Sequence, residues 1–121
     1  RFPNSKYAKD SYQKIKLVNS NIAAKNMNIA RFYHKNNKHT AALSRYKIVV
    51  DEFSETKFTP EALYRIAEIY FSIGMIDEST KTAAILGHNY PKSDWYKLIY
   101  KNLKTKDKNS LFSNTFGNFF N

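Results

Sequence analysis

The chain has 121 residues, with 20 Lys and Arg against 10 Asp and Glu, 42% apolar and 16% aromatic residues, and no cysteine. That size and apolar content imply one folded domain and exclude a wholly disordered chain, while the missing cysteines exclude a disulfide framework, a thiolate zinc site and a thiol nucleophile. No run of about 18 apolar residues is present to span a membrane and no basic-then-apolar signal segment opens the chain, which starts at Arg1 without an initiator Met, so we expect sequence to be missing upstream.

The net charge of +10 is unevenly spread: residues 1–50 hold eleven basic side chains and one acid, Asp10, residues 51–100 are net acidic, and residues 101–121 are basic again. Lys outnumbers Arg 16 to 4 beside 13 Asn and 10 Ile, the bias expected if an AT-rich genome favours AAA, AAT and ATT codons, in which case part of the basicity is mutational drift.

In chain order, neither Gly nor Pro occurs from Asn4 to Thr59, so a long tract lacks the usual breakers. Within it Tyr7, Ala8, Tyr12, Ile15, Val18, Ile22, Ala23, Met27, Ala30 and Tyr33 recur at intervals of mostly three and four, which predicts one elongated helix over residues 5–36 with an apolar face. Its weak point is Asn19-Ser20-Asn21, whose side chains compete for backbone hydrogen bonds. Asn36-Asn37 takes the turn into a second helix over about 40–53. Thr59 as N-cap and Pro60 at the first helical position open a third over about 59–73, which Gly74 ends by supplying a left-handed residue. A fourth runs over about 77–90. After Pro91, Ser93 or Asp94 caps a fifth over about 94–105, with Trp95, Leu98, Ile99 and Leu103 apolar and Lys97, Lys101 and Lys104 facing solvent. In the aromatic tail, residues 110–121, Leu111, Phe112, Phe116, Phe119 and Phe120 favour docking onto that last helix over contact with a partner or fraying.

Internal repetition organises these helices. Ile29-Ala30-Arg31-Phe32-Tyr33 recurs as Ile66-Ala67-Glu68-Ile69-Tyr70, 37 residues on. Twenty residues after each Tyr comes an aromatic punctuation, Phe53-Ser54-Glu55-Thr56 and Tyr90-Pro91-Lys92-Ser93, at the same offset, and Phe2-Pro3-Asn4-Ser5 opens the chain with another. Two landmarks on one period predict a repeat of helical hairpins. Leu63, Ile66, Ala67, Tyr70, Gly74 and Pro91 in one unit, and Ile29, Ala30, Tyr33, Ala42 and Tyr46 in the other, resemble the tetratricopeptide pattern, in which small residues let paired helices approach closely. Ala83, Leu86 and Ser54 depart from it. The resemblance implies an all-α, right-handed tetratricopeptide superhelix over residues 1–109, with one elongated helix and a C-terminal capping helix.

From Phe53 to Ile66 is 13 residues and from Phe2 to Ile29 is 27, so the first unit's opening helix carries 14 extra residues, nearly four whole turns, which keeps its face in phase. An arginine before an aromatic-Pro-Asn-Ser boundary, a lengthened helix ending in Ala-x-x-Tyr, then Ala-x-x-x-Arg and an aromatic-x-x-Thr boundary resembles the BamD (ComL) family over roughly residues 1–103. These are tetratricopeptide lipoproteins of the outer-membrane β-barrel assembly machine. The resemblance implies a non-enzymatic scaffold on the periplasmic face of the bacterial outer membrane, anchored through a lipid-bearing cysteine upstream. It implies as partners the POTRA region of BamA, other lipoproteins of the complex, and unfolded outer-membrane proteins bound by upstream repeats. By the same resemblance Arg45 holds the position of a family arginine that contacts the POTRA domain, with Tyr46, Lys38 and Asn37 as its neighbours in a contact patch.

Other chemistry finds little support in the residues. His34, His39 and His88 lack zinc-ligand spacing; His34 and His39 flank a turn and could meet, but read as solvated turn residues, and adjacent acids such as Asp51-Glu52 and Asp77-Glu78 point about 100° apart on a helix. The three glycines are isolated, so there is no phosphate loop. We therefore expect no catalytic, cofactor or metal site. A basic nucleic-acid-binding helical domain is the main alternative, with Phe32, Tyr33, Tyr46, Phe53 and Trp95 among the aromatics available for stacking, although packing is the commoner use of such residues and nucleic acid is not the expected partner. A tetratricopeptide adaptor clamping an acidic peptide is a further alternative.

Overall fold

The computed structural model describes residues 6–105, apart from the side chains of Tyr7 and of residues 101–105. The opening Phe2-Pro3-Asn4-Ser5, the aromatic tail, and the orientations expected for Lys101, Leu103 and Lys104 lie outside the described residues. Five α-helices occupy the described part: α1 (Lys6–Lys35), α2 (His39–Glu52), α3 (Thr59–Ser72), α4 (Ile76–Asn89) and α5 (Asp94–Thr105). They form two compact units, Arg1–Phe58 with α1 and α2, and Thr59–Asn121 with α3, α4 and α5. The fold is an all-α helical-hairpin repeat.

In the first unit α1 runs unbroken for 30 residues through Asn19-Ser20-Asn21. Asn19 and Asn21 are exposed, so their side chains are solvated and need not compete with the helix backbone. His34 and Lys35 in its last turn complement the negative end of the helix dipole. Only part of its apolar face is core, however. Ala23, Met27 and Ala30 are fully buried with Ala42, Tyr46 and Val49 of α2, whereas Tyr12, Ile15, Val18 and Ile22 are exposed. The reason is length: α2 has 14 residues, about 21 Å, against about 45 Å for α1, so it covers only the last four turns of the longer helix.

The α1–α2 turn is closed by backbone bonds that recur, residue for residue, in the second unit. Lys38 N–H donates to Tyr33 O (2.8 Å) and Asn37 N–H to His34 O (3.1 Å), with Asn37 at φ 60°. Thirty-seven residues on, Met75 N–H donates to Tyr70 O (2.8 Å) and Gly74 N–H to Phe71 O (3.1 Å), with Gly74 at φ 88°. Both are Schellman closures, in which a left-handed residue lets two amides satisfy the last carbonyls of the helix. The far ends match as well: Phe53 N–H reaches Val49 O at 3.0 Å, and Tyr90 N–H reaches Leu86 O at 2.8 Å.

In the second unit Ala62, Leu63, Tyr64, Ile66, Ala67, Ile69 and Tyr70 of α3 are buried, together with Ala83 and Leu86 of α4 and Ile99 of α5. Ser79 Oγ donates to Ala67 O (2.7 Å) from α4 to α3, which satisfies a fully buried hydroxyl. Ser93 caps α5, accepting from Tyr96 N–H at 3.1 Å. A Cβ on Gly87 would stand 2.6 Å from the Tyr96 ring, so glycine there lets α5 lie against α4. Of the residues expected on the apolar face of α5, Ile99 is buried, Trp95 half-buried and Leu98 exposed.

Candidate partner-binding surface

The first unit's hairpin holds the residues singled out by sequence. Arg45 lies on α2, half-buried, and its Nη1 donates to Oδ1 of Asn26 on α1 at 3.2 Å. Asn26 is itself buried and donates its other amide group to Ile22 O at 3.1 Å. The short turn folds α2 back along α1, which sets positions 26 and 45 side by side. One guanidinium donor is thus spent on orientation and the remaining ones of the planar fork stay available to a ligand. No carboxylate pairs with Arg45 among the described residues.

Arg65 in the second unit is the instructive contrast. Its guanidinium meets Glu68 Oε1 at 3.1 Å and Glu61 Oε2 at 3.9 Å, and lies 5.4 Å from the Tyr64 ring centre and 5.3 Å from that of Trp95. Two carboxylates and two aromatic rings engage that cation and tie α5 to α3. Of the two arginines, Arg45 is the one whose charge no carboxylate on the described part neutralises.

The companions expected around Arg45 fare differently. Asn37 and Lys38 are exposed in the α1–α2 turn. Tyr46 is fully buried, which corrects its expected place in a contact patch: one step along α2 from Arg45 turns the side chain into the core. For His34 and His39 the solvated reading is corrected, and the alternative that they meet across the turn holds. His34 and His39 are both half-buried, with rings 6.3 Å apart and His34 6.1 Å from Tyr46, because the tight turn brings the end of α1 against the start of α2. The aromatics proposed as a stacking platform mostly pack: Tyr46 is buried, Tyr33, Phe53 and Trp95 are half-buried, and only Phe32 is largely exposed, at 63%.

Asn26 was missed from sequence. Its signal was present: it sits on the core face of α1, three residues after Ala23 and four before Ala30, and a polar residue at a core position needs a partner. Among the described residues no group of three or more His, Cys, Asp and Glu is arranged to hold a metal ion, and no helix is long and apolar enough to cross a membrane.

Paired helices repeating at 37 residues define a tetratricopeptide-type helical repeat. The chain belongs to the YfiO family, described as outer membrane lipoprotein, whose pattern matches residues 1–86. It is similar to the outer membrane protein assembly factor BamD of Rickettsia prowazekii, 46% identical over 104 residues that make up 86% of this chain and 41% of that protein. It is similar also to BamD of Caulobacter vibrioides, at 43% over 101 residues covering 84% and 33%, and of Pasteurella multocida, at 34% over 88 residues covering 73% and 34%. The chain thus spans between a third and two-fifths of the length of these relatives.

Proposed function

We propose that this chain is part of an outer membrane protein assembly factor and acts there by binding, with the Arg45 surface of the first unit receiving the POTRA region of BamA. The observation that carries this reading is the oriented but unneutralised guanidinium of Arg45, held by buried Asn26 at 3.2 Å on a basic hairpin. Such a cation prefers a partner carboxylate, which it grips through two parallel hydrogen bonds, and the surrounding positive charge speeds the encounter. The relatives named as assembly factors support the setting. Exposed Lys38 and Asn37 flank the contact, while Tyr46 is buried in the core. The lipid anchor, the other lipoproteins of the complex and the capture of unfolded barrel proteins belong in this proposal to segments of the longer protein.

The test is a calorimetric titration of the chain with the isolated POTRA domains at physiological salt, using an unrelated DNA duplex as control. Saturable binding is expected, and Arg45→Glu should weaken it by about thirtyfold or more, the scale of breaking one partner of a buried charge pair, with helicity unchanged. Undiminished affinity in that variant would remove Arg45 from the interface. Binding to DNA alone, falling steeply with salt, would replace this reading by the nucleic-acid one.

A further inference from the structure

The four-turn extension of α1 builds something the second repeat lacks. The counterpart of Thr59, where α3 begins, is Ile22, so residues 6–21 overhang the hairpin. Residues 16–20 of that overhang and residues 52–57, from the end of α2 into the loop after it, line an open cleft of about 390 Å³, within the range of ligand sites, with Lys16, Asn19 and Ser20 on one side and Glu52, Glu55 and Lys57 on the other, all of them exposed except half-buried Ser20. Half-buried Phe53 lines it as well. None of these residues takes part in the Arg45–Asn26 contact.

The charges in the cavity are unspent. Among the described residues neither lysine and neither glutamate has an ion-pair partner, although both signs line the same 390 Å³. The lysines rest instead on aromatic faces: Lys16 Nζ lies 5.5 Å from the Tyr12 ring centre and Lys57 Nζ 5.4 Å from that of Phe58. A ring face restrains an ammonium without neutralising it. Asn19 and Ser20 likewise make no side-chain hydrogen bond among the described residues, which leaves an amide and a hydroxyl that each donate and accept.

This set selects by exclusion and by match. A polyanion, whether nucleic acid or an anionic membrane, meets Glu52 and Glu55 as well as the lysines, and an apolar segment would strand four charges away from water. A polypeptide carrying both signs answers every group: its carboxylates face Lys16 and Lys57, its ammonium groups face Glu52 and Glu55, and its main-chain N–H and C=O groups face Asn19 and Ser20. We propose that this cavity is a second docking site, separate from the Arg45 surface, that takes an extended polypeptide segment of mixed charge. The lengthened helix is then the device that makes the site.

Amide NMR spectra of the isotope-labelled chain test this directly. The probe is an end-blocked peptide of alternating Glu and Lys separated by Ser, compared with an all-Glu peptide of equal length spaced by Ser and with phosphatidylglycerol vesicles. The mixed peptide is expected to give saturable shifts at Lys16, Asn19, Ser20 and residues 52–57 that weaken as salt rises. They should vanish in the double variant Lys16→Glu, Lys57→Glu, diminish in Asn19→Ala with Ser20→Ala, and persist in Arg45→Glu, which separates this site from the proposed POTRA contact. An equal or stronger response to the all-Glu peptide or to vesicles would overturn the proposal in favour of a polyanion surface. No saturable response, or shifts centred elsewhere, would remove the site.

Discussion

Positions 26 and 45 of the first hairpin correspond, 37 residues on, to positions 63 and 82 of the second, and the two pairs have diverged in kind. Asn26 and Arg45 bond to each other across α1 and α2 at 3.2 Å. Leu63 is simply buried, and Thr82 turns its hydroxyl back to Glu78 O in its own helix at 2.8 Å. A similar exchange occurs at positions 28 and 31, where Arg31 donates to Asn28 Oδ1 at 2.9 Å, against 65 and 68, where Arg65 donates to Glu68 at 3.1 Å from the other end of the pair. Position 56 follows suit: Thr56 Oγ1 donates back to Phe53 O, while its counterpart Ser93 accepts forward to open α5. The backbone bonds meanwhile agree to within about 0.2 Å. Helix ends and turns are therefore held by main-chain groups that tolerate side-chain change, and the side chains are free to build a polar contact in one unit and an apolar seam in the other.

The largest expected effect comes from making the first hairpin like the second at its centre. Tyr46 and Ala83 are equivalent and both fully buried, but the second unit has α5, with Ile99 buried, as an additional layer. Tyr46→Ala empties a large, fully buried site, so it should cost about 3–5 kcal/mol in chemical denaturation. A loss below about 1 kcal/mol would mean that the hairpin repacks as the second one does.

Next is the glycine that admits α5. Gly87→Val would drive two branches into the Tyr96 ring, already 2.6 Å from a bare Cβ, at a cost of about 1–3 kcal/mol, and the fluorescence of Trp95 should change as α5 shifts. At the equivalent position the first unit carries a half-buried valine, Val50.

At the turns, Gly74 has φ 88° and open space around a built Cβ, so Gly74→Ala tests backbone conformation alone. It should cost about 1–2 kcal/mol, and Gly74→Asn less, because Asn37 already holds the equivalent left-handed position. Equal losses for Ala and Asn would show that something other than the left-handed conformation is at stake.

Much of this was legible in the sequence, and the reasons are physical. The period of 37, the turn residues Asn37 and Gly74, and the cap at Ser93 are local signals, each satisfied within one or two helical turns. The burial of Ala23, Met27 and Ala30 followed from spacing, but the exposure of Tyr12, Ile15 and Val18 did not, because apolar periodicity marks a face and says nothing of how far a partner helix reaches along it. The Arg45–Asn26 contact joins residues 19 apart, and the cavity joins residues 16–20 to 52–57. Such pairings depend on the register of α1 against α2, which no local pattern encodes.

Asn26→Leu sharpens the comparison by installing the residue of the second hairpin. Removing a buried amide along with its hydrogen bond replaces a net contribution of about 0.5–1.5 kcal/mol by apolar burial, so folding stability should hardly change. Partner binding should nonetheless weaken, because the guanidinium of Arg45 loses the acceptor that orients it. A variant that binds as well as the native chain would show that Arg45 needs no support from α1.

The smallest effect lies in the titration of Tyr96, which has no tyrosine counterpart at position 59. Loss of hydration where it packs on α4, and secondarily the charge that Tyr100 develops, favour its neutral phenol and raise its pKa above the ordinary value near 10. The folded-state value is the higher one, so the stabilisation is complete below the unfolded value and is lost as pH rises through the folded one. Phenolate absorbance should therefore show Tyr96 ionising above the ordinary value near 10, and Gly87→Val, by moving the ring off α4, should bring it back toward that value. An unshifted titration in that variant would assign the effect to Tyr100 and leave the close approach at Gly87 with a packing role alone.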